Sequence, residues 1–127
     1  MRACLDTSAI IKFKKDPTLL KGIKAEELFT TTITKYELLV GALFYGKREK
    51  DFVDKIISAL KIVSVEESIE LAAEISAKLM KRGEKVNDFD ILIAATCINN
   101  NLILITSDRD FNKIKEVAKA VGLERFL

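Results

Sequence analysis

The sequence predicts an α/β domain, a three-layer α/β/α sandwich whose central parallel sheet holds about four or five strands. Short apolar runs bounded by turn residues alternate along the chain with longer stretches whose apolar residues recur at helical spacing. Strands separated by helices imply parallel pairing, because parallel neighbours need a crossover connection. At 127 residues the chain suits one core and is too short for two, so 1–127 is read as a single domain.

Arg2 to Leu5 is a short apolar strand ended by Asp6, after which Thr7 or Ser8 caps a helix through Ile10, Ile11 and Phe13. Asp16 and Pro17 break that pattern, a short helical stretch follows around Leu19 to Ala25, and Leu28 to Thr31 is the second strand. Thr34 with Glu37 three residues later matches a capping box and opens an apolar helix through Leu38, Leu39, Ala42, Leu43 and Phe44 that ends near Gly46. A helix from Arg48 to Leu60 forms its antiparallel partner, and Ile62 to Val65 is the third strand. Ser64 and Glu67 mark a second capping box before the helix Ile69 to Met80, which Gly83 stops. Asn87 or Asp88 starts the helix Ile91 to Ile98, and the asparagines at 99–101 turn the chain into the strand Leu102 to Ile105. A last helix, Asn112 to Ala120, ends at Gly122 before an edge strand, Leu123 to Leu127.

With 49% apolar and 31% charged residues the chain has both a core and a solvated surface, which excludes disorder. No apolar run reaches the roughly 18 to 20 residues of a membrane span, and the N-terminus lacks a secretory pattern, so a cytoplasmic protein is expected. Cys4 and Cys97 sit in apolar settings without a metal or disulfide spacing and are read as buried, reduced thiols. A net charge of +2 does not announce nucleic-acid binding, so any basic footprint must be local. Abundant Lys, Glu and Ile without Gln are compatible with a heat-adapted source. The absence of histidine removes imidazole acid–base catalysis and imidazole metal ligands, leaving carboxylates to carry any chemistry.

In open α/β sheets ligands gather beyond the carboxyl ends of the strands. Asp6 ends the first strand, Asp108 and Asp110 follow the strand Leu102 to Ile105, and Glu37 and Asp90 lie in first turns of helices. All five can face one sheet edge, where their repulsion would be relieved by protonation or by a divalent cation. With oxygen donors only, magnesium or manganese is the natural ion, and such a site can hydrolyse a phosphodiester without histidine. Each acid also has a plainer reading: Asp6 as a cap or turn residue, Glu37 as partner of the Thr34 cap, Asp90 and Asp88 as acids suited to a helix N-terminus, Asp108 and Asp110 as turn acids. Only their joint placement favours a site.

Four runs, Leu-Asp-Thr-Ser at 5–8, Thr-Lys-Tyr-Glu-Leu-Leu-Val-Gly-Ala at 34–42, Asp-Phe-Asp-Ile-Leu-Ile-Ala-Ala-Thr at 88–96 and Ile-Thr-Ser-Asp-Arg-Asp-Phe at 105–111, resemble the PIN domain in order and spacing across essentially the whole chain. The resemblance implies that Asp6, Glu37 and Asp90 are acids of the family's metal site, with Asp6, Asp90 and Asp108 as ligands and Asp110 competing with Asp108 for the fourth position. It sets Asp88, beside the matching acid, behind the ligands, and Thr7 and Thr106 at polar positions lining the site. Single-domain PIN proteins of this size resemble VapC toxins, which implies an endoribonuclease held inactive by a VapB-like antitoxin and forming a homodimer. For RNA contact the basic residues close in sequence to the acidic edge are Lys12, Lys14, Lys15, Lys47, Arg48 and Arg109, with Lys12, Lys14 and Arg109 the leading candidates. The apolar helix from Thr34 to Tyr45 carries more bulk than one core face needs and suits a dimer or antitoxin surface, or a buried core helix.

Two other functions fit a small parallel α/β chain. A receiver-like phosphoacceptor domain also has acids at strand ends, but it needs an acceptor aspartate after the third strand, where Ser64, Val65 and Glu66 stand here. A PIN-fold RNA-binding module without catalysis is the other, and the retained acids argue against it.

Overall fold

The computed structural model describes residues 2–118 and the backbone of the strand at 123–125. Strands β1 (Arg2–Leu5), β2 (Glu27–Thr31), β3 (Lys61–Val63), β4 (Ile103–Thr106) and β5 (Leu123–Arg125) form one sheet in the order β3-β2-β1-β4-β5, every neighbouring pair parallel. The last expected helix is observed as α7 (Phe111–Val117); its expected end at Ala120 and Gly122, and the strand residues beyond Arg125, lie outside the described residues. Successive strands run outward from β1 in one direction to β3 and in the other to β5. The order therefore reverses at the β1/β4 boundary, where open α/β sheets place their ligand crevice.

Side chains alternate across the sheet with period two, and both faces are covered. From β1 and β4, Ala3, Leu5 and Ile105 enter a core with Ala9, Ile10 and Phe13 of α1 (Thr7–Lys15), Leu38 and Ala42 of α3 (Thr32–Tyr45), and Val53 of α4 (Lys47–Ala59). Cys4 and Leu104 point the opposite way, to Ala72, Ile75 and Leu79 of α5 (Ile69–Lys81), Ile91, Ala94 and Ala95 of α6 (Asp88–Asn99), and Phe111 and Ile114 of α7. A side chain such as Leu104, wholly withdrawn from water, contributes about 1.5–3 kcal/mol. Both cysteines are buried and free; contact with Cys97 and burial push the Cys4 thiol well above its ordinary pKa, so it stays protonated. A short helix α2 (Thr18–Lys21) follows α1. No helix among the described residues is long and apolar enough to cross a membrane.

Two helix starts differ from the capping-box expectation. α3 begins at Thr32, capped by Thr31, whose Oγ1 accepts from Thr34 N at 3.2 Å. Thr34 is buried inside the first turn, so Glu37 sits in the second turn and is released from any capping duty. Before α5, Ser64 Oγ accepts from Glu66 N at 3.2 Å and residues Glu66–Ser68 form a 3-10 turn, so the Ser64 side chain organises that turn rather than the α-helix. The helix ends follow the expected pattern. α5 closes through Gly83, at φ 71°, with Glu84 N donating to Leu79 O at 3.0 Å and Gly83 N to Met80 O at 3.0 Å. α6 closes identically through Asn101, at φ 53°, with Leu102 N donating to Cys97 O at 2.9 Å.

Candidate active site

Asp6 leaves the end of β1 and caps α1, which fixes its carboxylate at the β1/β4 boundary. It is 4% exposed. Its Oδ1 accepts from Ala9 N at 2.9 Å and from Ser8 Oγ at 2.7 Å, and its Oδ2 accepts from Thr106 Oγ1. Burial raises its pKa; the hydrogen bonds from Thr106, Ala9 and Ser8 work against that rise, and the Asp108 charge adds to it.

Ser8 is the residue the sequence reading missed. Beyond its bond to Asp6, its Oγ accepts from Ser107 N at 3.0 Å and lies 3.1 Å from Thr106 Oγ1. Thr106 Oγ1 in turn accepts from Asp108 N at 3.0 Å, and Asp108 Oδ1 from Asp110 N at 2.9 Å. The turn after β4 is thereby tied, residue by residue, to the loop after β1. A serine following a strand-end acid is the only local sign of this; its partners lie nearly a hundred residues away in sequence. Thr30, on β2, adds a brace by donating to Leu5 O at 2.7 Å, next to Asp6.

The other acids arrive from separate helices. Asn87 caps α6 by accepting from Phe89 N at 2.8 Å, which leaves Asp90 in the first turn, facing the pocket. Glu37, one turn along α3, accepts from Thr7 Oγ1 at 2.7 Å, so the two line the same wall. Asp6, Glu37, Asp90 and Asp108 bound a cavity of about 240 Å3 together with Thr7, Ser8, Ile11 and Ile93. A larger depression of about 540 Å3 along α4 brings together Lys47, Arg48 and Lys55 with a single acid, so chemistry rather than size distinguishes the acidic pocket.

The electrostatic state of the cavity is dominated by a shortage of positive charge. Asp90 is pushed up to about 7, first by burial and then by the charges of Asp108, Asp6, Glu37 and Asp110. Asp90 thus feels the charge of all four of the other acids. Among the described residues, Asp90, Asp108 and Asp110 each present an oxygen within 4.8 Å of the others, a spacing that one cation can bridge. An all-oxygen donor set suits a hard ion of the magnesium or manganese kind. Asp6 borders the same cavity but lies outside that trio, both of its oxygens already accepting hydrogen bonds.

Of the remaining expected residues, Thr7 lines the pocket, while Thr106 is fully buried behind it and reaches the site through its hydrogen bond to Asp6. Asp88 does not line it: it is exposed and borders a separate depression with Ile69, Ala72 and Ile91, because two residues of helix rotate it about 200° from Asp90. Arg109 is exposed between Asp108 and Asp110, Lys12 is partly buried on α1, and Lys14 pairs with Glu49 of α4.

The chain belongs to the PIN-domain family, whose model matches residues 3–117. A receiver-like domain is thereby set aside. Among solved structures it is similar to VapBC2 from Rickettsia felis bound to a DNA fragment from their promoter, at 22% identity over 100% of both chains with a TM-score of 0.82. VapBC-1 from nontypeable Haemophilus influenzae (21% identity, 98% of each chain, TM-score 0.82) and DNA-bound VapBC from Salmonella typhimurium (22%, 98% of each chain, 0.83) share the fold. A search of curated proteins found no match.

Proposed function

We propose that this protein is a metal-dependent endoribonuclease and the toxin of a VapBC-type toxin–antitoxin pair. The observation that carries the reading is the convergence of four acids, from four separate parts of the chain, on one cavity where the Asp90 pKa is pushed to about 7. Membership of a family of nucleases and the likeness to VapBC complexes support it. Asp90, Asp108 and Asp110 would hold a magnesium or manganese ion, with Asp6 beside them; when bound, such an ion supplies positive charge at the scissile phosphate and acidifies a coordinated water. Asp6, fixed by Ala9, Ser8 and Thr106, keeps the β1 and β4 loops at a constant separation. Glu37 has one oxygen steadied by Thr7, leaving the other to accept a proton from the attacking water.

The partner reading rests on α3. Val40, Leu43 and Phe44 are 49%, 81% and 78% exposed, an apolar stripe at helical spacing that a solitary protein has no reason to keep. It suits an antitoxin, a second copy of the chain, or both. Purified protein should cleave RNA with magnesium or manganese and stop in excess chelator; undiminished cleavage by metal-free protein would defeat the mechanism. Co-expression with a small protein encoded beside it should give a complex with suppressed cleavage. A binding module without catalysis would instead retain RNA under all conditions and cleave none.

A further inference from the structure

Ile11, 45% exposed on the outer side of α1, helps to wall the acidic pocket and also a second cleft of about 420 Å3 bordered by Lys14, Lys15, Tyr45 and Glu49. The two cavities are neighbours that share this side chain. Across that partition the character of the surface reverses, from carboxylates to ammonium groups around an open aromatic ring. Tyr45, the last residue of α3, is 76% exposed, and its ring is braced edge-to-face by Phe44 with centroids 4.9 Å apart. Lys14 is steadied by its ion pair with Glu49 and lies 5.1 Å over the Phe52 ring, while Lys15 is exposed and takes part in no ion pair among the described residues. Beyond the cleft, Lys47 and Arg48 open α4 and continue the positive surface.

We infer that this cleft is a nucleotide subsite for single-stranded RNA, the base stacking on Tyr45 and its phosphate meeting Lys15. The inference rests on the ribonuclease reading of the acidic pocket and extends it to the substrate held beside the scissile bond. A carboxylate pocket repels the backbone it must act on, so phosphates on either side need cationic support outside it. A braced, exposed ring beside a free ammonium group is a combination with which proteins hold unpaired bases. The cleft volume falls within the roughly 300–1,000 Å3 that small-molecule groups occupy. A protein segment is a poorer occupant, because it would have to withdraw Lys15 and the Lys14–Glu49 pair from water. A duplex is poorer still, since its base faces are already stacked.

The chain has no tryptophan and two tyrosines, so a Tyr36→Phe background leaves Tyr45 as its sole tyrosine fluorophore. In low salt and excess chelator, an unstructured RNA oligonucleotide of about ten nucleotides should quench Tyr45 emission saturably, and duplex RNA of equal length should not. In the unaltered background, measured by anisotropy, Tyr45→Ala should weaken binding about tenfold, Tyr45→Phe should restore most of it, and Lys15→Ala should lower the salt slope by about one. Full-strength RNA binding by both Tyr45→Ala and Lys15→Ala, no saturable binding by the parent, or emission that changes with protein concentration or a partner protein but not with RNA would overturn the subsite. Cleavage in manganese is scored separately: a parent that cleaves nothing yet shows the quenching loses the catalytic reading and keeps the subsite as a binding one.

Discussion

Replacing Asp90 by Asn in metal-free protein sets two effects of opposite sign against each other. Asp90 is in the first turn of α6, where the helix dipole favours a negative charge by about 0.3–1 kcal/mol. Against that stand burial and four neighbouring carboxylates, which raise its pKa from 3.8 to about 7. At about 1.4 kcal/mol per unit the shift corresponds to about 4 kcal/mol, and water at the open pocket mouth screens this to about 2 kcal/mol. Electrostatic crowding wins, so the Asn variant should be the more stable protein above neutral pH. The native state binds the extra proton between pH 3.8 and about 7, so parent stability falls as pH rises through that window and the advantage of Asn grows with it. In chelator at pH 8 the variant should melt about 6–8 °C higher than the parent, and near pH 4 the two should converge to about 0.5 kcal/mol. Manganese should raise the parent melting temperature through binding to the native state and do so much less for the variant. A variant that melts below the parent at pH 8 in chelator would refute the reasoning, because the helix dipole would then outweigh the crowding.

Other consequences follow from single contacts. Ser8→Ala leaves Ser107 N without its acceptor and removes one of the three donors to Asp6, at a cost of about 1–3 kcal/mol in chemical denaturation, and should weaken the manganese response by loosening Asp108. Glu37→Gln keeps an oxygen for Thr7 and should stay within about 0.5 kcal/mol of the parent in stability while losing cleavage in an RNA gel. Asn101→Gly should be neutral or stabilising and Asn101→Val destabilising by about 1–2 kcal/mol in the same melts, because the residue holds φ 53°.

What the sequence conveyed was largely what local pattern can carry. Asp6 at a strand end, Asp90 in a first helical turn and two acids after a later strand are legible because strand ends and helix starts are local features. Parallel topology then brings them together whatever their separation in sequence. The cap of α3 was misplaced because Thr-x-x-Glu at 34–37 imitates a capping box, while burial of Thr34 and the reach of Thr7 to Glu37 are decided by contacts across the fold. Ser8 was assigned to a cap for the same reason. No local signal announces that its hydroxyl holds the β4 turn. Asp88 illustrates the converse: it differs from Asp90 by two positions, and helical rotation alone puts it on another surface. Lys14 was read as an RNA contact from proximity in sequence to the acids; its ion pair with Glu49 of α4 is a contact across the fold that no local pattern announces.

The most direct test is a single RNA cleavage series in manganese with the parent, Asp6→Asn, Glu37→Gln and Asp90→Asn, each first shown by its thermal melt to be folded. The account predicts cleavage by the parent and loss of at least a hundredfold, about 2.7 kcal/mol of transition-state stabilisation, in every variant. Full activity in all three variants would make these carboxylates structural and contradict the assignment of the site.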